Sequence, residues 1–276
     1  MVRYASQQTP PPLNDDTLRT RDGHRLAFAM AGALDGVPVV VLHRSPSSGS
    51  QPSVPGLFDL TRFRFVLIDQ RDTGASNSFG SLRGNRTAQL IDDISRRRAP
   101  RAWTQLSSAA HCSRSAALSA RCAQVLQSGS GGARQHAVAL AWQSYDDAVL
   151  VSACTRGTQS RTLRSHSDAR KLTGKYRIQA DYLKHRCWLG ESRLLSLTRR
   201  ADAAGVPLAA VHGTHNPDCP PDNMRPLARA VPAARIDYVH TGHPRNHPAL
   251  RDRATCVLKT MFYPIAYEGC HARRAT

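Results

Sequence analysis

The chain has 276 residues, of which 41% are hydrophobic and 21% charged. That is enough apolar material to bury a core and too much for wholesale disorder. Lys and Arg number 38 against 20 Asp and Glu, a formal net charge of +18. A basic excess of this size suits a polyanion partner. Its distribution argues against nucleic acid, because the stretch from Ser95 to Arg170 holds 11 Arg, three acids and no Lys. Aromatic residues for base stacking are sparse there. No apolar run approaches the ~18 residues of a membrane span, and MVRYASQQTPPPL at the amino terminus has no apolar signal core. A cytoplasmic location without membrane contact is expected. The seven cysteines, Cys112, Cys122, Cys154, Cys187, Cys219, Cys256 and Cys270, form no C-x-x-C pair. Scattered reduced thiols are expected, with neither a disulfide framework nor a structural zinc site.

In chain order, residues 1–16 carry a proline triplet and read as a flexible leader. Thr20 to Ala31 has turn chemistry at Asp22-Gly23 before an apolar segment, which suits a hairpin. Gly36 to Leu42 and Arg62 to Asp69 are continuous apolar runs and predict buried strands. Thr87 to Arg98 places Leu90, Ile91 and Ile94 at helical spacing. The order strand, strand, helix is α/β grammar. Residues 99–140 show no clean period, and Gln127 to Gly132 reads as a linker. Residues 176–200 are helix-like, Gly205 to His212 predicts a third buried strand, Met224 to Ala230 a short helix, Ala234 to His240 a fourth strand, and His247 to Phe262 a terminal helix.

Loops after strand ends are where open α/β sheets place their ligands. Those loops begin at His43, Asp69 and His212, and Gly242-His243 follows the fourth strand. Here the chain resembles the proline iminopeptidases, serine peptidases of the α/β-hydrolase fold. DQRDTGAS is similar to that family's DQRGxGRS, SLRGNRT to SLxxNxT, and AWQSYDDAVL to AWxxWExAVL. KYRIQADYL resembles ARIExHYF, VHGTHNPDCPPDN resembles VxGRYDxxCPP, and VHTGHPRNHP stands in place of the AGHS segment. The resemblance runs through residues 20–98 and 141–262. It implies a mostly parallel sheet with helices on both faces, a core of residues 17–140 and 201–276, and a helical cap at 141–200. It also implies release of an N-terminal proline from peptides by acyl transfer through Ser, Asp and His, without metal or cofactor.

Residue by residue, the resemblance puts His243 at the catalytic base and Asn216 where the family has its Asp. Asn cannot stabilise an imidazolium, and in a serine-protease triad the Asp-to-Asn change lowers the rate about 10⁴-fold. Gln179 falls where a Glu would meet the substrate ammonium, and Asp146 keeps an acid at the cap's other carboxylate position. The oxyanion loop HGGPG reads His43-Arg44-Ser45-Pro46-Ser47, with its glycines replaced. The nucleophile is unknown: no G-x-S-x-G elbow exists, and Ser108, Cys112 and Ser113 are nucleophile types without the motif. A shifted reading frame of GC-rich DNA would account for residues 99–140, and so would a genuine Ser/Ala/Arg-rich insertion. The expected protein is therefore a proline iminopeptidase-like hydrolase, impaired or inactive. The alternative is a non-catalytic relative that binds a small ligand or partner in the cap cleft.

Overall fold

The computed structural model describes residues 14–42, 59–77, 80–95, 102–104, 116–128, 132–152, 166–216, 219–241 and 247–262. The chain divides into two compact units, Met1–Ser107 and Ser108–Thr276.

The first unit is a sheet of five strands, β1 (Asn14–Arg19), β2 (Arg25–Gly32), β3 (Val37–Leu42), β4 (Phe63–Ile68) and β5 (Ala102–Thr104). Their order across the sheet is β1-β2-β4-β3-β5. β1 and β2 form the expected hairpin, with Arg19 opposite Arg25. Gly23 takes a φ of +88° at its turn. β1 starts at Asn14, inside the segment read as leader, because its backbone finds a partner in β2.

β2 runs antiparallel to β4, while β3 runs parallel to both β4 and β5. The two β-branched runs became β3 and β4, with Val37 opposite Phe63 and Leu42 opposite Ile68. Val39, Val40 and Val41, like Phe65, Val66, Leu67 and Ile68, are buried at consecutive positions. Burial on both faces explains why these strands read as continuous rather than alternating. On one face Phe28, Val40, Val66 and Ile68 meet Ile94 of α1 (Thr87–Ser95).

The second unit begins with helices. α2 (Ala116–Gln127) and α3 (Gly132–Ser152) lie largely within the stretch that showed no period. Their buried members, Ala123 and Leu126 with Ala139 and Trp142, pack on Leu172, Tyr176 and Ala180 of α4 (His166–Lys184). Residues 129–131 between α2 and α3 lie outside the described residues.

The helix-like segment 176–200 falls on two helices. α4 ends at Lys184, and α5 (Gly190–Ala203) follows a short 3₁₀ turn, Arg186–Trp188. Arg186, Cys187 and Trp188 all take positive φ, at 47°, 54° and 55°. No helix can continue through such a run. The turn is held by stacking of His185 on Trp188, ring centroids 4.9 Å apart, and by the edge-on contact of Tyr182 with Trp188 at 5.0 Å.

β6 (Ala209–Gly213) and β7 (Arg235–Val239) pair in parallel, flanking α6 (Arg225–Ala230) in the chain, and α7 (Pro248–Phe262) packs on both strands. Asp237 accepts from Arg235 Nε at 3.0 Å and from Arg253 Nε at 2.9 Å, which ties α7 to β7. Cys122, Cys187 and Cys219 are in no disulfide. Cys256 on α7 is disulfide-bonded, which corrects the expectation of reduced thiols throughout. An odd cysteine count excludes a complete pairing, not a single bridge.

Candidate functional site

The carboxyl end of β6 carries the first cluster. Gly213 lies against the next strand's loop so closely that a Cβ there would press on the Thr241 carbonyl. The Thr214 amide donates to the Val239 carbonyl at 2.9 Å, and the His215 amide to that of Thr241 at 3.1 Å. These bonds seat the loop after β6 beside the end of β7. Asn216 is buried, at 9% exposure, and its Oδ1 accepts from the Cys219 amide at 3.3 Å. His212 Nε2 lies 2.8 Å from the Cys219 carbonyl, and the rings of His215 and His240 meet edge to face at 4.6 Å. Asn216 therefore uses its side-chain oxygen to close its own turn.

The second cluster lies among the helices. Tyr176 is fully buried, stacks on Trp142 at 5.2 Å and donates its hydroxyl to Asp146 Oδ2 at 3.0 Å. Asp146 is thus an acceptor that orients α3 on α4. Gln179, half-buried, sits one turn beyond Tyr176 on α4. Gln127 Nε2 donates to Asp181 Oδ1 at 2.9 Å, and Lys184 Nζ to Gln127 Oε1 at 3.2 Å. Burial pushes the Cys187 thiol up to about 11. Its thiolate is scarce at neutral pH, so it is a poor nucleophile.

The third cluster is the turn after β4, Asp69 to Ser76. Asp69 Oδ2 accepts from the Ala75 amide at 2.7 Å, and Ser76 Oγ donates to the Asp69 carbonyl at 2.7 Å. Gly74 takes φ +55°, and a Cβ on it would run into the Asp69 carboxylate. Gly74→Ala is therefore expected to cost about 2 kcal/mol or more, from the left-handed backbone and the displaced carboxylate together. Amide exchange in β4 and the following turn measures it.

Arg71, at 2% exposure, forks onto Asp93 of α1 through Nε at 2.6 Å and Nη2 at 2.8 Å. Its Nη1 donates to Asp22 and, at 2.8 Å, to the Gly84 carbonyl. Burial alone would lower Arg71, but Asp93 and Asp22 hold it above its ordinary value. Burial also pushes Asp22 up, and the hydrogen bonds from Arg71 and Thr20 outweigh it and bring the carboxyl to about 2. Asp72 is wholly buried at φ +59°, with Asn85 Nδ2 3.4 Å from its Oδ2. Burial pushes it up to about 7 against the pull of Arg71 and Asn85.

Of the residues singled out from the sequence, Asn216, Gln179 and Asp146 are placed as above, on three separate elements. His43, Arg44, Ser45 and His243 lie outside the described residues, as do Ser108, Cys112 and Ser113. Thr241 is the last described residue before His243. The ionic cluster around Arg71 and Asp72 went unnoticed in the sequence. The available signal was an Asp at position 72 where DQRGxGRS has Gly. The positive φ there is the reason a glycine suits the position.

No family model matches the chain. Among curated proteins, the proline iminopeptidase of Neisseria gonorrhoeae is 36% identical over 83 residues, 30% of this chain and 27% of that protein. The proline iminopeptidase of Arabidopsis thaliana is 39% identical over 87 residues, 32% of this chain and 23% of that protein. That of Xylella fastidiosa (strain 9a5c) is 37% identical over 87 residues, 32% and 28% of the two chains. The matches thus span about a quarter of the relatives' own length, and a smaller part of this chain than the motifs suggested.

Among solved structures, the enol-lactonase from Burkholderia xenovorans LB400 covers 90% of this chain and 100% of its own at a TM-score of 0.57 and 18% identity. A haloalkane dehalogenase loop variant from Bradyrhizobium elkanii covers 92% and 99% at a TM-score of 0.57 and 12% identity. The thioesterase domain of the curacin biosynthetic pathway covers 90% and 99% at 0.53 and 12%. Among the described residues no helix is long and apolar enough to cross a membrane. A segment of the chain is homologous to proline iminopeptidases, and the chain has the α/β-hydrolase fold.

Proposed function

We propose that this protein is a proline iminopeptidase-type hydrolase whose catalysis is impaired. The likeness to proteins of that name, together with the α/β-hydrolase fold, supports the reaction class: release of an N-terminal proline from a peptide by acyl transfer. The buried Asn216 carries the impairment. A neutral amide stands in the acid's place with its oxygen held by the Cys219 amide. It orients an imidazole without stabilising the imidazolium that forms when the nucleophile gives up its proton. In this reading His243 is the base and His43, Arg44 and Ser45 the oxyanion loop. Gln179 and Asp146 face the substrate amine, and residues 141–200 form the helical cap. No metal or cofactor takes part. The setting proposed is the cytoplasm, against which the disulfide at Cys256 speaks.

Hydrolysis of a prolyl arylamide by the full chain tests this. Weak turnover is expected, abolished by His243→Ala. Asn216→Asp keeps the acceptor for the Cys219 amide and supplies the missing charge, so it is expected to raise turnover by about 10²-fold or more, within the ~10⁴ range of the reverse change. The second reading is a non-catalytic relative that holds a ligand at the cap. It is favoured by the missing nucleophile elbow and by Asn216 and Gln179, two neutral amides at positions where the resemblance expects acids. Folded protein without turnover, before and after Asn216→Asp, selects that reading.

A further inference from the structure

Two buried polar atoms of the first unit that lack a hydrogen-bond partner among the described residues face one another. His24 Nδ1 and Asp72 Oδ1 are both buried, neither has a hydrogen-bond partner among the described residues, and they lie 3.5 Å apart. His24 opens the strand side of the β1–β2 turn, where its amide donates to the Thr20 hydroxyl oxygen at 2.9 Å. Asp72 lies in the loop after β4, so the pair spans two segments of chain.

Among the described residues, Asp22, Arg71, Asn85 and Asp69 stand around the pair. Asp22 Oδ2 lies 3.9 Å from His24 Nε2, on the outer side of the ring. Arg71 lies next to Asp72 in the chain, but its guanidinium is already spent on Asp93, Asp22 and the Gly84 carbonyl. Asn85 faces the other carboxyl oxygen at 3.4 Å and donates to the Arg71 carbonyl at 3.1 Å. Asp69 shares the loop and is committed to the Ala75 amide.

We propose that His24 and Asp72 form a proton-sharing pair that latches the β1–β2 turn to the loop after β4, tight when Asp72 carries a proton and loosened when it does not. In the tight form one proton lies between Asp72 Oδ1 and His24 Nδ1, and a second, on Nε2, faces the Asp22 carboxylate. Raising the pH removes one proton to solvent. To meet the resulting Asp72 carboxylate the imidazole must move its proton to Nδ1, which turns the bare Nε2 lone pair toward the Asp22 carboxylate. One of the two contacts then fails, and a negative charge is left in a buried site with its nearest cation already shared.

The direction follows by linkage. A carboxyl raised on folding binds its proton more tightly in the folded state. Its contribution is full below the ordinary carboxylate range and declines as pH rises through about 7. Asp22, lowered to about 2, acts in the opposite sense and only in acid. The two effects therefore fall in separate windows.

Amide hydrogen exchange of the full chain at pH 5.5 and 8.0, corrected for intrinsic rates, tests the latch. Peptides covering residues 20–32 and 63–77 are expected to open about tenfold more readily at the higher pH, a change of about one pKa unit's worth of differential binding. Asp72→Asn mimics the protonated acid, donates to Nδ1 and tolerates the left-handed backbone. It is expected to hold these peptides equally at both pH values. Should that variant fold poorly, Asp72→Gly suits the positive φ and removes the titrating group, and it too is expected to be flat. Equal exchange of the unsubstituted protein at the two pH values overturns the proposal. So does a pH difference that persists in either variant.

Discussion

Arg71→Ala is expected to cost about 3–5 kcal/mol, the usual loss when one member of a buried ion pair is removed. The size comes from what is left behind. Asp93, at 4% exposure, loses both prongs of the fork and remains a buried carboxylate, while Asp22 and the Gly84 carbonyl lose a donor. Arg71→Lys is expected to recover little, because one ammonium cannot reach two carboxylates and a carbonyl in the planar geometry that the guanidinium fills. A paired Arg71→Met, Asp93→Leu variant removes both buried charges and is expected to recover most of the loss. Because the chain has two compact units, a single global unfolding free energy is a poor readout. Amide exchange in β2 and β4 is better suited, and the expected result is opening about 150-fold or more as frequent in Arg71→Ala, the ratio to which about 3 kcal/mol corresponds. Unchanged protection in that variant would show that the fork contributes no net stability.

The second large effect is expected at Tyr176. Its ring is wholly buried between α2, α3 and α4, stacked on Trp142, and Lys175 Nζ lies 4.7 Å from its centroid. Tyr176→Ala is expected to cost about 3–5 kcal/mol, as for other large aromatic truncations. Tyr176→Phe keeps the ring and removes only the donor to Asp146, at about 1–2 kcal/mol. The pair of variants separates packing from the hydrogen bond, and helical circular dichroism on heating reads both. If Asp146 serves a substrate amine, Tyr176→Phe should also raise KM for a prolyl arylamide, since the carboxylate loses a group that orients it. Comparable losses from the two variants would mean that the hydroxyl, rather than the ring, holds the helices together.

Segments whose burial follows one local rule were legible without a structure. Val37–Leu42 and Phe63–Ile68 are strands because both faces of each are covered, and a run of β-branched and aromatic residues records that directly. The turn at Asp22-Gly23 and the terminal helix are local in the same sense. α2 and α3 were not legible. Their buried positions in the helical core are few, Ala123 and Leu126 on one and Ala139 and Trp142 on the other, and Ser, Gln and Arg are scattered among the remaining positions. Their helical state is stabilised by packing on α4 and leaves no apolar stripe to read. The break between α4 and α5 was hidden for a related reason. Arg186, Cys187 and Trp188 carry no Gly or Pro signal, and stacking between His185, Tyr182 and Trp188 supports their backbone.

The same division holds for the candidate sites. The sequence by itself determined the α/β order of elements, the amide at position 216 and the absence of a nucleophile elbow, because each is a matter of which residue stands where. Only the tertiary structure decided that Asn216 is buried and turned onto Cys219, that Asp146 serves Tyr176, and that Asp22, His24, Arg71, Asp72, Asn85 and Asp93 meet in one cluster. Arg71 bonds Asp22 across 49 residues of chain and Asp93 across 22. Contacts of that separation follow from strand pairing and helix docking, and leave no periodic trace along the chain.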